Sequence, residues 1–180
     1  MSGKKVAFVL VDFQKAFEEP SWGEFSTPKA AEHAGEILHW IREQEGLIIH
    51  IQHTRTDPTS LFYKGSQTHS FMEQVLPVEN EIIIQKDVNS AFIGTNLESV
   101  LKEHGASEVI IAGFTTQHCV STTVRMSGNL GFKTTLVSDA TSAAAIAPFD
   151  AQTIHDVTLA TLRDEFADIV TTEELLQRYQ

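Results

Sequence analysis

Residues 108–123 read EVIIAGFTTQHCVSTT, and the order of apolar, glycine and polar segments in this stretch decides the fold class. Val109, Ile110, Ile111 and Ala112 form an unbroken apolar run, the pattern of a strand buried on both faces. Gly113 ends the run, and residues 114–118 make a short polar turn. Cys119, the only cysteine in 180 residues, comes next, with Val120, Val124 and Leu130 at helix-like spacing behind it. The sequence therefore predicts a strand, a tight turn and a helix that starts at a thiol. The first turn of a helix carries unpaired N–H groups and a partial positive charge. A cysteine there is drawn towards thiolate, and the same N–H groups can hold an oxyanion built on the carbon that the sulfur attacks.

The same alternation extends in both directions. Residues 6–11, VAFVLV, form a buried strand closed by Asp12. Thr27 is placed to cap a helix with Pro28 at its first position, and Ala31, Ala34, Ile37, Leu38 and Ile41 keep the helical period up to Gly46. Residues 47–51 make a second strand. Residues 52–80 have no sustained period and contain Pro58, Gly65 and Pro77, so they are expected to form a long functional loop with a helical turn near 70–73. Residues 81–85, EIIIQ, make a third strand ending at Lys86. Thr95 is expected to cap a helix that Gly105 closes. After the 108–123 stretch come a strand at 132–137, a small-residue loop at 140–148, a helix from about 150 to 164 and a short strand at 167–170. Thr171 and Glu174 have capping-box spacing ahead of a last helix. The pattern predicts one α/β domain over residues 1–180, with a Rossmann-like, mainly parallel sheet and helices on both faces.

Composition narrows the function. Hydrophobic residues make up 42% and charged residues 21% of the chain, as in ordinary soluble proteins. A formal net charge of −11 argues against a nucleic-acid partner, which needs clustered Lys and Arg. The start, Met1-Ser2-Gly3-Lys4-Lys5, leads straight into a strand and does not resemble a signal peptide. No apolar run approaches the roughly 20 residues that span a bilayer. A single cysteine precludes an internal disulfide, so a cytoplasmic location is expected.

Asp12, Lys86 and Cys119 each close a separate apolar strand. In a parallel sheet those ends share one edge, so the three side chains can converge. Together they suit a nucleophilic mechanism. Asp12 would act as general base towards the thiol and later return the proton to a leaving amine. Lys86 would keep Asp12 ionised and favour thiolate, and the N–H groups of the 114–119 turn would stabilise an oxyanion.

With these residues in place, the chain resembles the isochorismatase-like cysteine hydrolases, a family that includes nicotinamidases and N-carbamoylsarcosine amidohydrolases. The matching pieces are Val11-Asp12-Phe13-Gln14, Lys86 with Ser90-Ala91-Phe92 and Gly94-Thr95-Asn96-Leu97, and Gly113-Phe114-Thr115-Thr116-Gln117-His118-Cys119-Val120. The resemblance spans nearly the whole chain. It implies an Asp12–Lys86–Cys119 triad, a thioester intermediate and an oxyanion hole from the backbone N–H groups of Thr115 and Cys119. It also implies a cis peptide between Phe114 and Thr115, a six-stranded sheet in a three-layer α-β-α sandwich, and assembly as a homodimer or homotetramer. The substrate would be a small molecule, with Phe17, Phe62, Phe92, Gln117 and His118 as candidates for the pocket.

Nicotinamidases of this family hold a metal with an Asp-x-His pair and further histidines after the second strand. Here the region reads HIQHTRTD from His50 to Asp57. Strand alternation puts His50 and His53 on opposite faces, poor geometry for one ion even with Asp57 and His69 in reach. No metal or other cofactor is therefore expected. The leading function is hydrolysis of a small-molecule amide C–N bond through Cys119. Two alternatives are isochorismatase-type enol-ether hydrolysis and a redox-sensing or ligand-binding protein on the same fold. A low-pKa thiol would serve a sensor, but it would leave Asp12 and Lys86 without a purpose. A dinucleotide-binding reading lacks its fingerprint, because Gly113 stands alone where G-x-G-x-x-G is required.

Overall fold

A computed structural model describes residues 5–179; residues 1–4, part of the start read above against a signal peptide, lie outside them. Six strands form one sheet in the order β3-β2-β1-β4-β5-β6. They are β1 (Lys5–Val11), β2 (Leu47–His53), β3 (Ile82–Lys86), β4 (Ala106–Phe114), β5 (Lys133–Ser142) and β6 (Asp168–Val170). All five pairings are parallel. Crossover helices α1 (Ala30–Glu43), α2 (Leu97–Glu103), α3 (Ser121–Asn129) and α4 (Ala151–Leu162) join the strands, and α5 (Thr172–Gln177) follows β6.

The central strands alternate between two hydrophobic layers, as a period of two requires. Phe8, Leu10, Ile110 and Ala112 pack on one face against Ala34, Ile37, Leu38 and Ile41 of α1 and Leu175 of α5. Ala7, Val9, Val11, Val109 and Ile111 pack on the other against Leu97 and Leu101 of α2, Val124 of α3 and Leu159 and Leu162 of α4. Burial on both faces explains why these strands are apolar throughout. The result is the expected three-layer sandwich.

The chain winds outwards through β1, β2 and β3, then returns to place β4 beside β1. The strand order thus reverses between β1 and β4. Open α/β sheets bind ligands beyond the carboxyl ends of their strands at such a reversal. At that edge Val11 is in register with both Ile51 and Gly113, and His53 with Lys86.

Several local expectations change. Thr27 does not cap α1; its N–H is held by Ser142 Oγ at 2.9 Å, and the helix starts at Ala30. The expected helical turn at 70–73 is instead two 3₁₀ turns, Gln67–His69 and Glu73–Val75. Between them Phe71 bridges to Gln14, which gives the loop extended backbone where a turn was read. The cap of α2 is Asn96 rather than Thr95, whose hydroxyl accepts the Leu97 N–H at 3.3 Å. The Thr171–Glu174 capping box forms at α5.

Gly113 does not end its strand. β4 runs on to Phe114, with Gly113 at φ +147° pressed against β1. A Cβ there would lie 2.0 Å from the carbonyl oxygen of Val11. Only glycine fits this approach.

Candidate active site

Three strand ends meet at the reversal point. Asp12 lies one residue beyond β1, fully buried and at φ +56°, with its N–H donating to the Ile51 carbonyl at 3.1 Å. Lys86 is the last residue of β3. β4 is followed by a cis Phe114–Thr115 peptide and a π turn, Thr116–Val120, which carries Cys119. The sequence expectation put the thiol at the first turn of an α-helix; the structure puts it in this wider turn, and α3 begins two residues later. π turns within helices recur at functional sites.

The Lys86 ammonium is the hub of the cluster. Its Nζ donates to Asp12 Oδ2 at 2.8 Å, to His53 Nδ1 at 2.9 Å, to the Val88 carbonyl at 3.1 Å and to Cys119 Sγ at 3.4 Å. An ammonium has three protons and no lone pair, so four acceptors share three donors, and the sulfur has the longest contact. Because Lys86 can only donate, His53 Nδ1 must accept, and the ring's own proton sits on Nε2. Burial, with Lys86 as the second cause, pushes His53 down to about 4. The ring is therefore neutral near pH 7.

The electrostatics correct one expectation. Burial, reinforced by the Asp12 charge and opposed by Lys86, pushes the Cys119 thiol up to about 12. The resting group is thus a thiol, because desolvation in the closed cleft outweighs the ammonium. Burial also raises Asp12 above the usual carboxylate range, with the Lys86 ammonium opposing it. Asp12 Oδ1 is buried without a hydrogen-bond partner among the described residues. Such an orphaned acceptor beside a thiol can take its proton. The Thr115 N–H makes no hydrogen bond among the described residues either, which leaves a donor available at the cleft.

A cavity of about 260 Å³ opens over the cluster. Asp12, Cys119, Thr115 and His118 line it, together with Phe17 and Phe62. Phe17 stacks on Phe114 with ring centroids 5.1 Å apart and meets Phe62 edge-on at 5.3 Å, so the aromatic wall is itself well packed. Two candidates fall elsewhere. Phe92 stacks on Phe132 against the layer that holds α2, α3 and α4, outside the cavity lining, and Gln117 turns away to donate to the Ala144 carbonyl at 3.1 Å. Sequence reasoning missed Trp22, His53, Arg55 and Asn89 as lining residues. A larger cavity of about 640 Å³ lies at the opposite edge, where Lys5, Leu47, Ile82 and Ala106 begin their strands. No cysteine, serine or threonine lines it.

Gln14 fixes His53 from behind. Its amide accepts the His53 N–H at 2.8 Å and donates to the carbonyls of His53 at 3.0 Å and His69 at 2.9 Å. His50, on the opposite face of β2, bonds Glu81 at 2.8 Å.

A carboxylate oxygen of Asp12, a ring nitrogen of His53 and Cys119 Sγ lie within 4.8 Å of one another, a spacing open to a metal ion. The same three groups are the acceptors of the Lys86 protons. A divalent cation there would displace or repel a buried ammonium, so these residues do not fit a metal; Lys86 supplies the positive charge itself.

Comparison with known proteins gives first the class, a hydrolase of the parallel α/β type. The isochorismatase domain model matches residues 6–174, and the chain belongs to the isochorismatase family. The uncharacterized isochorismatase family protein YrdC of Bacillus subtilis is 49% identical over 181 residues, 98% of this chain and 97% of its own. The crystal structure of an isochorismatase-family protein from Chromobacterium violaceum matches with a TM-score of 0.95 at 34% identity, covering 98% of this chain and 94% of that one. Maleamate amidohydrolase of Pseudomonas putida is 23% identical over 193 residues, 98% of this chain and 87% of its own. No helix among the described residues is long and apolar enough to cross a membrane.

Proposed function

We propose that this hydrolase cleaves the C–N bond of a small-molecule amide through a thioester on Cys119. The observation that carries the proposal is the contact set of Lys86, which bonds the base, Asp12, and the sulfur, Cys119, from one ammonium. Amide hydrolysis by the related maleamate amidohydrolase supports the same chemistry.

As Sγ attacks the amide carbon, its proton passes to Asp12, and a C–S bond forms while the carbonyl oxygen takes up negative charge. The Thr115 and Cys119 N–H groups are the donors proposed for that oxyanion. The leaving nitrogen receives the proton from Asp12 as the C–N bond breaks, and the amine or ammonia departs. Water, activated by Asp12, then attacks the thioester carbon and regenerates the thiol with release of a carboxylic acid. A thiol held up to about 12 is not a thiolate in waiting, so proton transfer and attack are coupled. Once the sulfur becomes anionic it competes for the Lys86 protons on better terms than the neutral thiol, whose contact is 3.4 Å long. The ammonium thus stabilises the reacting state more than the resting one, which is the requirement for catalysis.

The test is ammonia release from a panel containing maleamate, nicotinamide and carbamoyl amino acids, run on wild type and on Cys119→Ala, Asp12→Asn and Lys86→Met. Mass spectrometry follows an acyl adduct on Cys119. The expected result is turnover of at least one amide by wild type and a loss of at least about 1,000-fold in each variant. Turnover that survives Cys119→Ala would refute the thioester.

A further inference from the structure

The lining of the reactive cavity carries one unpaired charge. Asp12 and Lys86 neutralise each other at 2.8 Å, and His53 is neutral. Arg55, on the loop after β2, lines the same cavity. Its backbone is tied on both sides, with N–H to the Phe62 carbonyl at 2.8 Å and carbonyl to the Lys64 N–H at 3.0 Å. Its guanidinium has no carboxylate or other hydrogen-bond partner among the described residues. Arg55 is exposed where it lines the cavity, so solvent is the partner of its guanidinium in the free protein. The loop bonds hold the Arg55 backbone beside the cavity.

His53 adds a neutral donor. Its Nδ1 is occupied by Lys86, and no group among the described residues bonds Nε2, the ring atom that bears the proton. The ring packs on Phe62, with centroids 5.0 Å apart. The Arg55 charge is also felt at His53, where it helps to hold the ring neutral. Phe17, Trp22 and Phe62 supply the aromatic wall, with Asn89, Thr115 and His118 beside it, and at about 260 Å³ the cavity is smaller than the roughly 300 Å³ at which ordinary small-molecule sites begin.

We infer that the substrate is a small acid amide, in which a carboxylate on the far end of the molecule pairs with Arg55 while the amide carbon faces Cys119. The inference rests on the amide reading above and specifies it. A guanidinium binds a carboxylate in a two-pronged, charge-assisted geometry. With no internal partner to displace, Arg55 gives up no existing ion pair on binding. A neutral amide of the same skeleton forgoes this contact and leaves the cation facing an apolar group.

Two matched compounds test this, succinamate and its neutral diamide, succinamide. Wild type is expected to prefer succinamate in kcat/KM by about 10- to 100-fold, the range for a hydrogen-bonded charge pair. Arg55→Met is expected to collapse that ratio towards one, chiefly through KM for the acid amide, and Arg55→Lys to retain part of it. If both compounds are hydrolysed with a ratio near one, or with a ratio that Arg55→Met leaves unchanged, the anion subsite is refuted while the amide reading stands. If neither compound turns over, a binding arm decides: succinate is titrated into Cys119→Ala protein and read by the fluorescence of Trp22, which lines the cavity. Binding that is lost when Arg55→Met is added upholds the subsite independently of amide chemistry. Equal binding with and without Arg55, or none, overturns it.

Discussion

Lys86 Nζ donates to His53 Nδ1 at 2.9 Å, from the last residue of β3 to its register partner at the end of β2. The lysine approaches Asp12 from two strands away, and the imidazole is the acceptor on the strand between them. His53 thereby fixes where the ammonium points without needing to touch the reacting atoms.

Replacement of His53 by Phe removes that acceptor and keeps the ring's bulk. The expected loss in kcat is about 10- to 100-fold, the value of one hydrogen bond to a charged group. His53→Asn, which offers a side-chain oxygen, should recover part of the loss. Equal losses in the two variants would show that shape, not the nitrogen lone pair, is what matters.

The thiol should be slow to alkylate. With Cys119 pushed up to about 12 from the ordinary 9.0, the rate with iodoacetamide is expected to keep rising well above pH 9. A midpoint below pH 8 would contradict the resting thiol. The same shift sets an alkaline limit on stability. The folded state keeps the thiol protonated while the unfolded chain ionises above 9.0, so stability is full below that value and falls as pH climbs towards 12. Cys119→Ala should remove this part of the alkaline loss, measured by urea unfolding at pH 8 and 10.

On the acid side, His53 is held down to about 4 against 6.5 when free. The unfolded chain therefore takes up this proton first, and stability should decline as pH falls from 6.5 towards 4. His53→Asn should flatten that decline in thermal unfolding across this window. An unchanged slope would mean that His53 does not contribute to it.

Gly113→Ala places a methyl group 2.0 Å from the Val11 carbonyl oxygen, at a junction where neither strand can retreat without moving Asp12 or Cys119. The expected cost is at least about 3 kcal/mol in urea unfolding. Gly94→Ala is the control, because it has a positive φ of 68° but open space around it. It should cost about 1–2 kcal/mol. Similar losses at the two positions would remove the steric argument.

The amide of Gln14 spans three backbone groups, and Gln14→Leu removes the side-chain partner of the His53 N–H and carbonyl, while the His69 carbonyl keeps Gln52 Nε2 at 3.0 Å. A loss of about 2 kcal/mol is expected, with a larger fall in activity than stability alone explains, because His53 loses its support. Activity that tracks only the folded fraction would count against this support.

Much of this was legible from residue order alone. Asp12, Lys86 and Cys119 each end a run too apolar for the surface, and a parallel sheet brings such ends together. The six strands and their helices followed from the same runs. His53 was harder, because β2 continues past its apolar segment and a polar residue at a strand's end carries no periodic signal, and Gln14 lies in the loop after β1, where only tertiary contacts show its role. Trp22, Arg55 and Asn89 lie outside the six strands and five α-helices, where tertiary contacts alone decide which way a side chain turns. Phe92 shows the reverse problem. An aromatic residue near a motif can serve as pocket or as core, and its partner Phe132 lies 40 positions away in sequence. The thiol's protonation was misread because burial, which the sequence does not display, outweighs the ammonium beside it.

β3 is an edge strand, held by five register pairs to β2 alone, whereas β1 and β4 sit in the middle of the sheet. Edge elements open at lower free energy than the centre. Cys119 and Asp12, the proposed nucleophile and base, are therefore anchored to the most durable part of the molecule, and Lys86 to one of the least. Under mild denaturant or heat, catalytic power should fade before the fold does, as β3 frays and carries Lys86 away from a cluster that is otherwise intact. Inactivation would then report the loosening of one strand, and amide hydrogen exchange at Ile82–Lys86 should follow it more closely than any global probe.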